Sequence, residues 1–248
     1  DEWVINGTKT WTTHGSYAKY MILLARSIPD TARKYAGLSF FLAPMRIPGV
    51  ETQPIRKLTG EYGFTETYFT DARIPADSLI GEEGQGWAVA MRTLEYERSA
   101  RGGQAGGLSI VAPDHSEVVE LARRAKRGGR AAIEDPILRD KLVEFMIEAQ
   151  GIALTNRRAS IGPLVQDRPM SIPLSGKLMA TEFTRRINEF AITLLGQAGA
   201  YAVGEPEAID GGISQRAYLN AFSATIGGGT SQIQANIVAE HVLGLPKH

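Results

Sequence analysis

The sequence predicts an α+β protein in which an antiparallel β-sheet domain precedes an up-and-down bundle of α-helices. Short apolar runs separated by glycine and proline fill residues 1–82, and this spacing is typical of antiparallel strands. From Gly86 onward apolar residues recur at helical intervals, which favours helices joined by short connections. We therefore expect a sheet domain in residues 1–82 and a four-helix bundle in residues 83–248.

Apolar and β-branched runs mark the predicted strands of the first domain. Asn6-Gly7 separates Trp3-Val4-Ile5 from residues 9–12, and an Asn-Gly pair between two such runs is the strongest short-range signal for a β-hairpin. Further runs lie at residues 20–25, 38–42, 50–55 and 67–70, with turn residues between them.

The helices of the second domain are predicted from apolar periodicity. The first runs from Gly86 to about residue 122, with a break at Pro113, because proline removes a helical hydrogen bond. Others are expected near residues 137–161, 174–194 and 217–222, and a capped helix closes the chain. We interpret the charge run at residues 123–130 as a solvated helix C-terminus, where cations are favourable.

Composition excludes several classes of function. Lys plus Arg and Asp plus Glu both number 27, so no basic excess points to nucleic acid or an anionic membrane surface. The absence of cysteine excludes disulfides and thiolate catalysis, and the four histidines are too far apart to predict a metal site. No apolar run approaches the ~20 residues of a membrane helix, and no signal peptide is visible, so a cytoplasmic protein is the default expectation.

A glycine-rich loop near the C-terminus is the strongest local motif. Gly227-Gly228-Gly229 leads into Thr230-Ser231 and then into an apolar-periodic segment, so Thr230 or Ser231 is expected to cap a helix. Such a terminus offers backbone donors and a positive dipole end to a phosphate or an oxyanion. An ordinary capped helix after a glycine loop has the same pattern, so local physics leaves both interpretations open.

Four separated motifs together resemble the acyl-CoA dehydrogenase family. In chain order they are Asp1–Thr13 followed by Leu23–Arg26, then Gly84–Trp87, then Glu97-Arg98, and finally Gly227–Gln234 with the ending Ala239–Pro246. The first resembles that family's flavin-contacting hairpin, and the resemblance covers nearly the whole chain. It implies an FAD-containing enzyme of lipid metabolism. It also implies an N-terminal helical domain and first sheet strands, which this sequence lacks through truncation or because another chain supplies them.

The resemblance also implies how the reaction is divided among residues. The family removes two hydrogens from an acyl-CoA thioester: a carboxylate takes the acidic proton beside the carbonyl, and the β-hydrogen leaves as hydride to the flavin. Many members place that carboxylate directly before the Gly-Thr of the C-terminal loop, where this sequence has Gly228. The isovaleryl- and long-chain-type branch places it on the helix after the sheet domain, immediately before an arginine, and Glu97-Arg98 matches that position.

Glu97 is therefore the expected catalytic base, with Arg98 beside the substrate. Glu97 follows Leu94, Met91 and Trp87 by three, six and ten residues, which places it with the apolar face of its helix, whereas Glu95 points away from that stripe. A solvated Glu-Arg pair is the competing interpretation. The backbone N–H of Gly228 is expected to meet the thioester oxygen, since developing charge there needs a donor.

Flavin contacts follow from the same resemblance. It implies that the indole of Trp11 packs on the ring edge and that the hydroxyl of Thr13 hydrogen-bonds a ring atom. Thr230 and Gln232 match positions that touch the adenosine-pyrophosphate half. We expect this 248-residue chain alone to bind flavin poorly, because strands that it lacks hold part of the ring site.

Two features depart from the family pattern at the expected contact between subunits. Leu195–Gly199 lies where the family has a glycine-rich turn that reaches a neighbouring subunit's flavin, and Gln197 is the candidate contact there. The family's Arg-x-x-Phe-Gly segment is replaced by residues 126–130, in which Arg127 or Arg130 could substitute.

The resemblance implies a homo- or hetero-tetramer and an electron-transfer flavoprotein as electron acceptor. A base on the mid-chain helix hints at a bulky acyl group. Two alternatives stay open: a non-catalytic subunit of a heteromeric dehydrogenase, favoured by Gly228 and the missing Arg-x-x-Phe-Gly segment, and a flavin oxidase or hydroxylase on the same fold.

Overall fold

The computed structural model describes residues 1–29, 33–98, 115–159, 161–164 and 171–246. The chain divides into two compact units, Asp1–Gly107 and Leu108–His248. The expected antiparallel sheets and C-terminal helices are confirmed. The predicted domain boundary at residues 82 and 83 stays a prediction, and the first helix of the predicted bundle packs with the sheet unit.

The described residues of the first unit form two antiparallel three-stranded sheets and an α-helix. Its strands are β1 Glu2–Thr13, β2 Tyr20–Arg26, β3 Leu38–Pro44, β4 Val50–Arg56, β5 Tyr62–Pro75 and β6 Leu79–Ile80, and its helix is α1 Gly86–Arg98. The strand orders are β1-β5-β4 and β2-β3-β6. Alternate residues are buried along most of β5, and strands β1, β2, β3 and β5 contribute to one core that includes Ile5, Leu23, Phe41, Phe69 and Ile74. Helix α1 packs against β3.

The predicted hairpin at Asn6-Gly7 is wrong. Strand β1 continues through this pair and lies along β5, with a register shift between Ile5 and Gly7. The Asn6 side chain accepts from the backbone N–H of Asp71 at 2.8 Å and donates to the Asp71 carboxylate at 3.0 Å. Asn-Gly therefore forms a bulge, because pairing with a strand more than 60 residues away overrides the local turn preference.

The second unit is built around its longest helix. Its elements are α2 His115–Arg124, β7 Lys126–Arg127, β8 Arg130–Ala131, α3 Pro136–Ala159, α4 Ser171–Leu195, α5 Ile213–Ala224 and α6 Ser231–Ile237, with a π-helical turn at Val238–Val242. Helix α4 packs against α2, α3, α5 and α6. Its fully buried Phe183, Ile187 and Leu194 form the centre of the core, together with Phe145 of α3.

The charge run at residues 123–130 is only in part the helix end that the sequence predicts. Arg123 and Arg124 do close α2, but residues 126–131 then form the small hairpin β7–β8. Gly128 and Gly129 make its turn with φ of 57° and 85°, a conformation that glycine adopts readily. The break expected at Pro113 lies outside the described residues.

Candidate functional site

Trp11 is held outward at the end of β1 by an unusual backbone conformation. Its φ is 61°, at a register shift between Lys9 and Thr12, and its side chain is 62% exposed. The indole edge contacts the ring of Phe64, with centroids 5.8 Å apart. Non-glycine residues rarely adopt this φ, and such outliers cluster at binding sites. Thr13, two residues on, is also exposed, so both predicted flavin contacts are accessible on this strand end.

A buried threonine cluster supports this strand end from the inside. Thr67 donates from Oγ1 to Thr12 Oγ1 at 3.1 Å, and Thr65 donates to the Thr12 backbone carbonyl at 3.4 Å. Thr65 and Thr67 are almost fully buried. A Cβ on Gly15 would lie 2.1 Å from Thr65 Oγ1, so only glycine fits beside the cluster. The sequence motif did not reveal this support, because Thr65 and Thr67 lie on β5.

The predicted base, Glu97, belongs to α1, a partly buried helix. Trp87, Met91 and Leu94 are half-buried, as the predicted stripe requires, and the Trp87 ring stacks on Tyr35 at 4.1 Å. The helix backbone includes Glu97 and Arg98. Their side chains lie outside the described residues, so the assignments of Glu97 as base and Arg98 as substrate contact stay predictions.

The start of α1 is fixed to β3 by the buried Ser39. Ser39 Oγ accepts the backbone N–H of Gly84 at 2.8 Å and lies 2.7 Å from Ser27 Oγ. Gly86 packs directly on the β3 backbone: a Cβ there would lie 2.4 Å from the Ser39 carbonyl carbon and 2.6 Å from the Phe40 nitrogen. The glycines of the Gly84–Trp87 motif thus allow the helix that bears Glu97 to approach the sheet closely.

The C-terminal glycine loop leads into α6, and Thr230 is its cap. Thr230 Oγ1 accepts the backbone N–H of Ile233 at 3.2 Å, which decides between the two residues that the sequence left open. Ser231 instead donates to Glu182 Oε1 of α4 at 2.5 Å. Thr230 is half-buried, while Gly228 and Gln232 are exposed, so this loop presents all three predicted site residues on one short segment.

Two side chains that the sequence analysis did not single out hold the carbonyls of this loop. Gln234 Nε2 donates to the carbonyl of Gly228 at 3.1 Å, and Lys177 Nζ donates to the carbonyl of Gly229 at 2.6 Å. Gln234 is 3% exposed. Lys177 precedes the loop by about 50 residues, so the motif itself contains no signal that would reveal it.

Glu182 is kept ionised beside this loop. The hydrogen bond from Ser231 is the largest influence and lowers the pKa of Glu182. Partial desolvation opposes it, and the nearby Arg185 and Arg186 guanidinium groups add to the lowering. An ionised Glu182 is the better acceptor, so this contact attaches the start of α6 to α4.

We expect the contact between Ser231 and Glu182 to make stability sensitive to acid. A lowered pKa means that the unfolded chain binds more protons in the acid range, so stability is lost as pH falls from the ordinary value of 4.5 through the folded-state pKa. The melting temperature of a Ser231→Ala variant should therefore fall less steeply below pH 4.5 than that of the parent. Ser223→Ala is the matched control, since the Ser223 hydroxyl bonds the Asn220 carbonyl and no carboxylate. Equal slopes for all three proteins would contradict this account.

Gln197 and the glycine loop lie near opposite ends of α4, which contacts the loop through Lys177. It is exposed in the 3-10 turn Gly196–Ala200 that follows α4. Lys177 and the end of α4 are separated by roughly 27 Å, at 1.5 Å per residue. Arg127 packs on this turn, where a Cβ on Gly196 would lie 2.5 Å from its Nη1 atom, and it donates to the Thr193 carbonyl at 3.4 Å. The structure thus places Arg127 against the turn that contains Gln197, at the end of α4 opposite the glycine loop.

Comparison with known families identifies both parts of the chain. Residues 1–72 match the family model described as acyl-CoA dehydrogenase, middle domain, and residues 84–243 match the one described as acyl-CoA dehydrogenase, C-terminal domain. The chain belongs to the acyl-CoA dehydrogenase family. This acyl-CoA dehydrogenase chain is 38% identical to a Mycolicibacterium smegmatis protein named acyl-CoA dehydrogenase IpdE1, over 99% of its own length and 58% of that protein's. It therefore spans about three fifths of the length of that curated relative.

Solved structures of the family have the same fold. The structure named Tcur3481-Tcur3483 steroid ACAD matches with a TM-score of 0.85 at 27% identity, over 100% of this chain and 62% of that chain. The ChsE4-ChsE5 complex from Mycobacterium tuberculosis matches with a TM-score of 0.81 at 27% identity, over 100% and 63%. Within the described part of the acyl-CoA dehydrogenase chain, no helix has the length and apolarity to cross a bilayer. The same residues contain no cluster of acidic or histidine side chains suited to a metal ion.

Proposed function

We propose that this protein catalyses the FAD-dependent α,β-dehydrogenation of an acyl-CoA thioester. The observation that supports the proposal most strongly is the match to both family domains, which extends over nearly the whole chain. The accessible Trp11 and the glycine loop that precedes the helix capped by Thr230 support it further.

Proton abstraction is assigned to Glu97. A carboxylate is basic enough for this step only when burial raises its pKa toward the operating pH, and Glu97 follows the half-buried stripe of α1. The thioester oxygen gains negative charge as the proton leaves. In this proposal it accepts the backbone N–H of Gly228, which stabilises that charge without any reorganisation. Arg98 adjoins Glu97 and contacts the substrate.

Each unit, taken by itself, offers residues suited to part of a flavin. Trp11 offers an exposed aromatic surface and Thr13 an accessible hydroxyl, which suit the edge of a planar, polar ring system. Thr230 and Gln232 lie at the glycine loop before α6 and suit the pyrophosphate half. FAD, when bound, supplies the acceptor for the β-hydrogen as hydride. The protein's own part is to bind and orient the flavin and the thioester and to hold the proton that Glu97 removes.

Assembly is part of the proposal. The roughly 27 Å of α4 between Lys177 and the turn of Gln197 supports a role for Gln197 at the flavin of a neighbouring subunit. Arg127 lies beside that turn and could supply the charge that the missing Arg-x-x-Phe-Gly segment gives other members. We propose a tetramer, homomeric or heteromeric, with an electron-transfer flavoprotein as electron acceptor.

The acyl group is proposed to be bulky. The base position on α1 supports this choice, and so does the likeness to a solved structure that is named a steroid ACAD. A polycyclic or branched thioester is thus the substrate class to test against short linear ones.

The test is an anaerobic visible spectrum of the full-length parent protein, since the 248-residue chain alone is expected to bind flavin poorly, mixed with acyl-CoA thioesters of short linear, branched and steroid side-chain type. Flavin bleaching that is fastest with a bulky thioester is the expected result. Bleaching by short linear thioesters alone would reject the substrate class.

Two other outcomes would replace the proposal itself. Absence of flavin, or no bleaching with any thioester, would favour the non-catalytic subunit, for which Gly228 in place of a carboxylate is the specific observation. Rapid oxygen consumption during turnover in air would favour the oxidase.

A further inference from the structure

The glycine loop is held by two side chains from different helices. Lys177 Nζ of α4 donates to the Gly229 carbonyl at 2.6 Å, and Gln234 Nε2 of α6 donates to the Gly228 carbonyl at 3.1 Å. The two acceptors are consecutive carbonyls of the loop. A further hydrogen bond, from Ser231 to Glu182, fixes the C-terminal end of the loop to α4. The loop is thus held at residues 228, 229 and 231.

These contacts determine where the loop's N–H groups point. In a trans peptide the C=O and N–H bonds point in opposite directions. With the Gly228 carbonyl on Gln234, the N–H of Gly229 points away from Gln234, and with the Gly229 carbonyl on Lys177, the N–H of Thr230 points away from Lys177. Within the described part of the chain, no acceptor receives the N–H of Gly228, Gly229 or Thr230. The contacts therefore fix the orientation of the Gly229 and Thr230 N–H groups, and the N–H of Gly228 lies on the residue whose carbonyl Gln234 holds.

A glycine loop needs such support to keep one conformation. Gly228 and Gly229 have φ of 69° and 104°, and glycine has more backbone freedom to lose than any other residue. Gln234 is 3% exposed and its amide fits closely, since a Cβ on Gly229 would lie 2.5 Å from its Nε2 atom. A buried amide placed against a glycine leaves the peptide little room to rotate.

We propose that Lys177 and Gln234 are positioning residues. By holding the carbonyls of Gly228 and Gly229, they keep the glycine loop in the conformation in which the N–H of Gly228, which precedes the two held peptide groups, meets the thioester oxygen. This inference rests on the proposed dehydrogenase function, in which the N–H of Gly228 meets that oxygen. Lys177 and Gln234 act through the backbone and touch neither substrate nor flavin. Loss of either contact lets the loop sample other peptide orientations, so the donors are no longer preorganised for the developing charge.

The test compares Lys177→Met and Gln234→Met, which remove the donors and keep most of the side-chain volume, with the parent holoprotein. Lys177→Arg restores a cationic donor. Lys141→Met makes the same chemical change at an exposed lysine that pairs with Glu144 on its own helix and lies 5.7 Å from the centroid of the Phe145 ring. The first measurement is hydrogen–deuterium exchange of the peptide covering residues 226–234, where the Ser231 N–H bonds the Thr225 carbonyl and the Ile233 N–H bonds Thr230.

Both donor-removal variants should exchange about tenfold faster in this peptide, with no change in Lys141→Met and partial recovery in Lys177→Arg. In anaerobic flavin reduction, both should lower the maximal rate by about 10- to 100-fold and leave the Kd of the thioester within about threefold, because the donors act mainly on the transition state.

Unchanged exchange in both variants would overturn the proposal. Faster exchange with an unchanged maximal rate would overturn the positioning role as well, since the contacts would then serve only folding. If the parent itself shows no reduction with any thioester, the proposed dehydrogenase function fails, and the exchange measurement still decides whether Lys177 and Gln234 hold the loop.

Discussion

Replacement of Glu97 by glutamine is expected to slow flavin reduction by acyl-CoA thioesters about 1,000-fold or more, within the usual range for loss of a general base. Glutamine has nearly the same size and still hydrogen-bonds, but it cannot take the proton beside the thioester carbonyl. FAD content and thioester affinity should change little, because neither depends on proton transfer. Stopped-flow absorbance under anaerobic conditions measures the rate and the affinity in one experiment.

Glu95→Gln provides the matched control. Glu95 lies two residues earlier on α1, so the same chemical change is made on the same helix. We expect this variant to keep its reduction rate within about threefold of the parent, since a change away from the reacting atoms removes no transition-state contact. Equal bleaching rates in the parent and Glu97→Gln would remove Glu97 from the mechanism, and a large effect of Glu95→Gln alone would assign the base to Glu95.

Gly86→Ala is expected to destabilise the protein by about 3 kcal/mol, at the upper end of what overpacking costs. The added Cβ would lie 2.4 Å from the Ser39 carbonyl carbon and 2.6 Å from the Phe40 nitrogen. Both are backbone atoms of the central strand of their sheet, so no flexible side chain can move aside. The start of α1 must shift away from β3. Urea unfolding at equilibrium measures the loss, as a lower midpoint with an unchanged slope.

The opposite sign is expected for Gly151→Ala. Gly151 lies inside α3, and a Cβ there would meet no atom within 4 Å. Alanine reduces the backbone entropy lost on folding, so the free energy of unfolding should rise by about 0.5–1 kcal/mol. A loss of stability in both variants, or in neither, would contradict the packing account of Gly86.

The helices could be predicted from sequence because their signal is local. The helical spacing of apolar residues predicted the bounds of α3 and α4 to within a few residues. The apolar residues on which the α4 prediction rests include the buried Phe183, Ile187 and Leu194. The prediction of a hairpin at Asn6-Gly7 was wrong because the structure there is determined by a contact distant in sequence. Its outcome depended on pairing with Phe69–Ala72 of β5, more than 60 positions away, and a turn-forming pair becomes a bulge when such a partner is present.

The residues of the candidate site also differ in whether sequence alone could predict them. Trp11, Thr13, Thr230 and Gln232 belong to contiguous motifs, so sequence reasoning could name them before their surroundings were known. The residues that hold those motifs in place could not be named, because they come from other elements. Lys177 is separated from Gly229 by 52 positions, and Ser39 from Gly84 by 45. Their residue types are common on helices and strands, so only the folded chain reveals their roles.

The surroundings of Gly228 decide whether this position could hold an acidic residue. A Cβ at this position would meet only the Lys177 Cε atom, at 3.9 Å, so space for a side chain is already present. What opposes a larger residue is the left-handed φ of 69°, a penalty of about 1–2 kcal/mol for an L-residue. A point mutation that introduces a carboxylate here thus needs no redesign of the loop. Position 228 can therefore accept an acidic side chain at the cost of backbone strain rather than of steric conflict, which makes Gly228→Glu a substitution that the surrounding scaffold can tolerate.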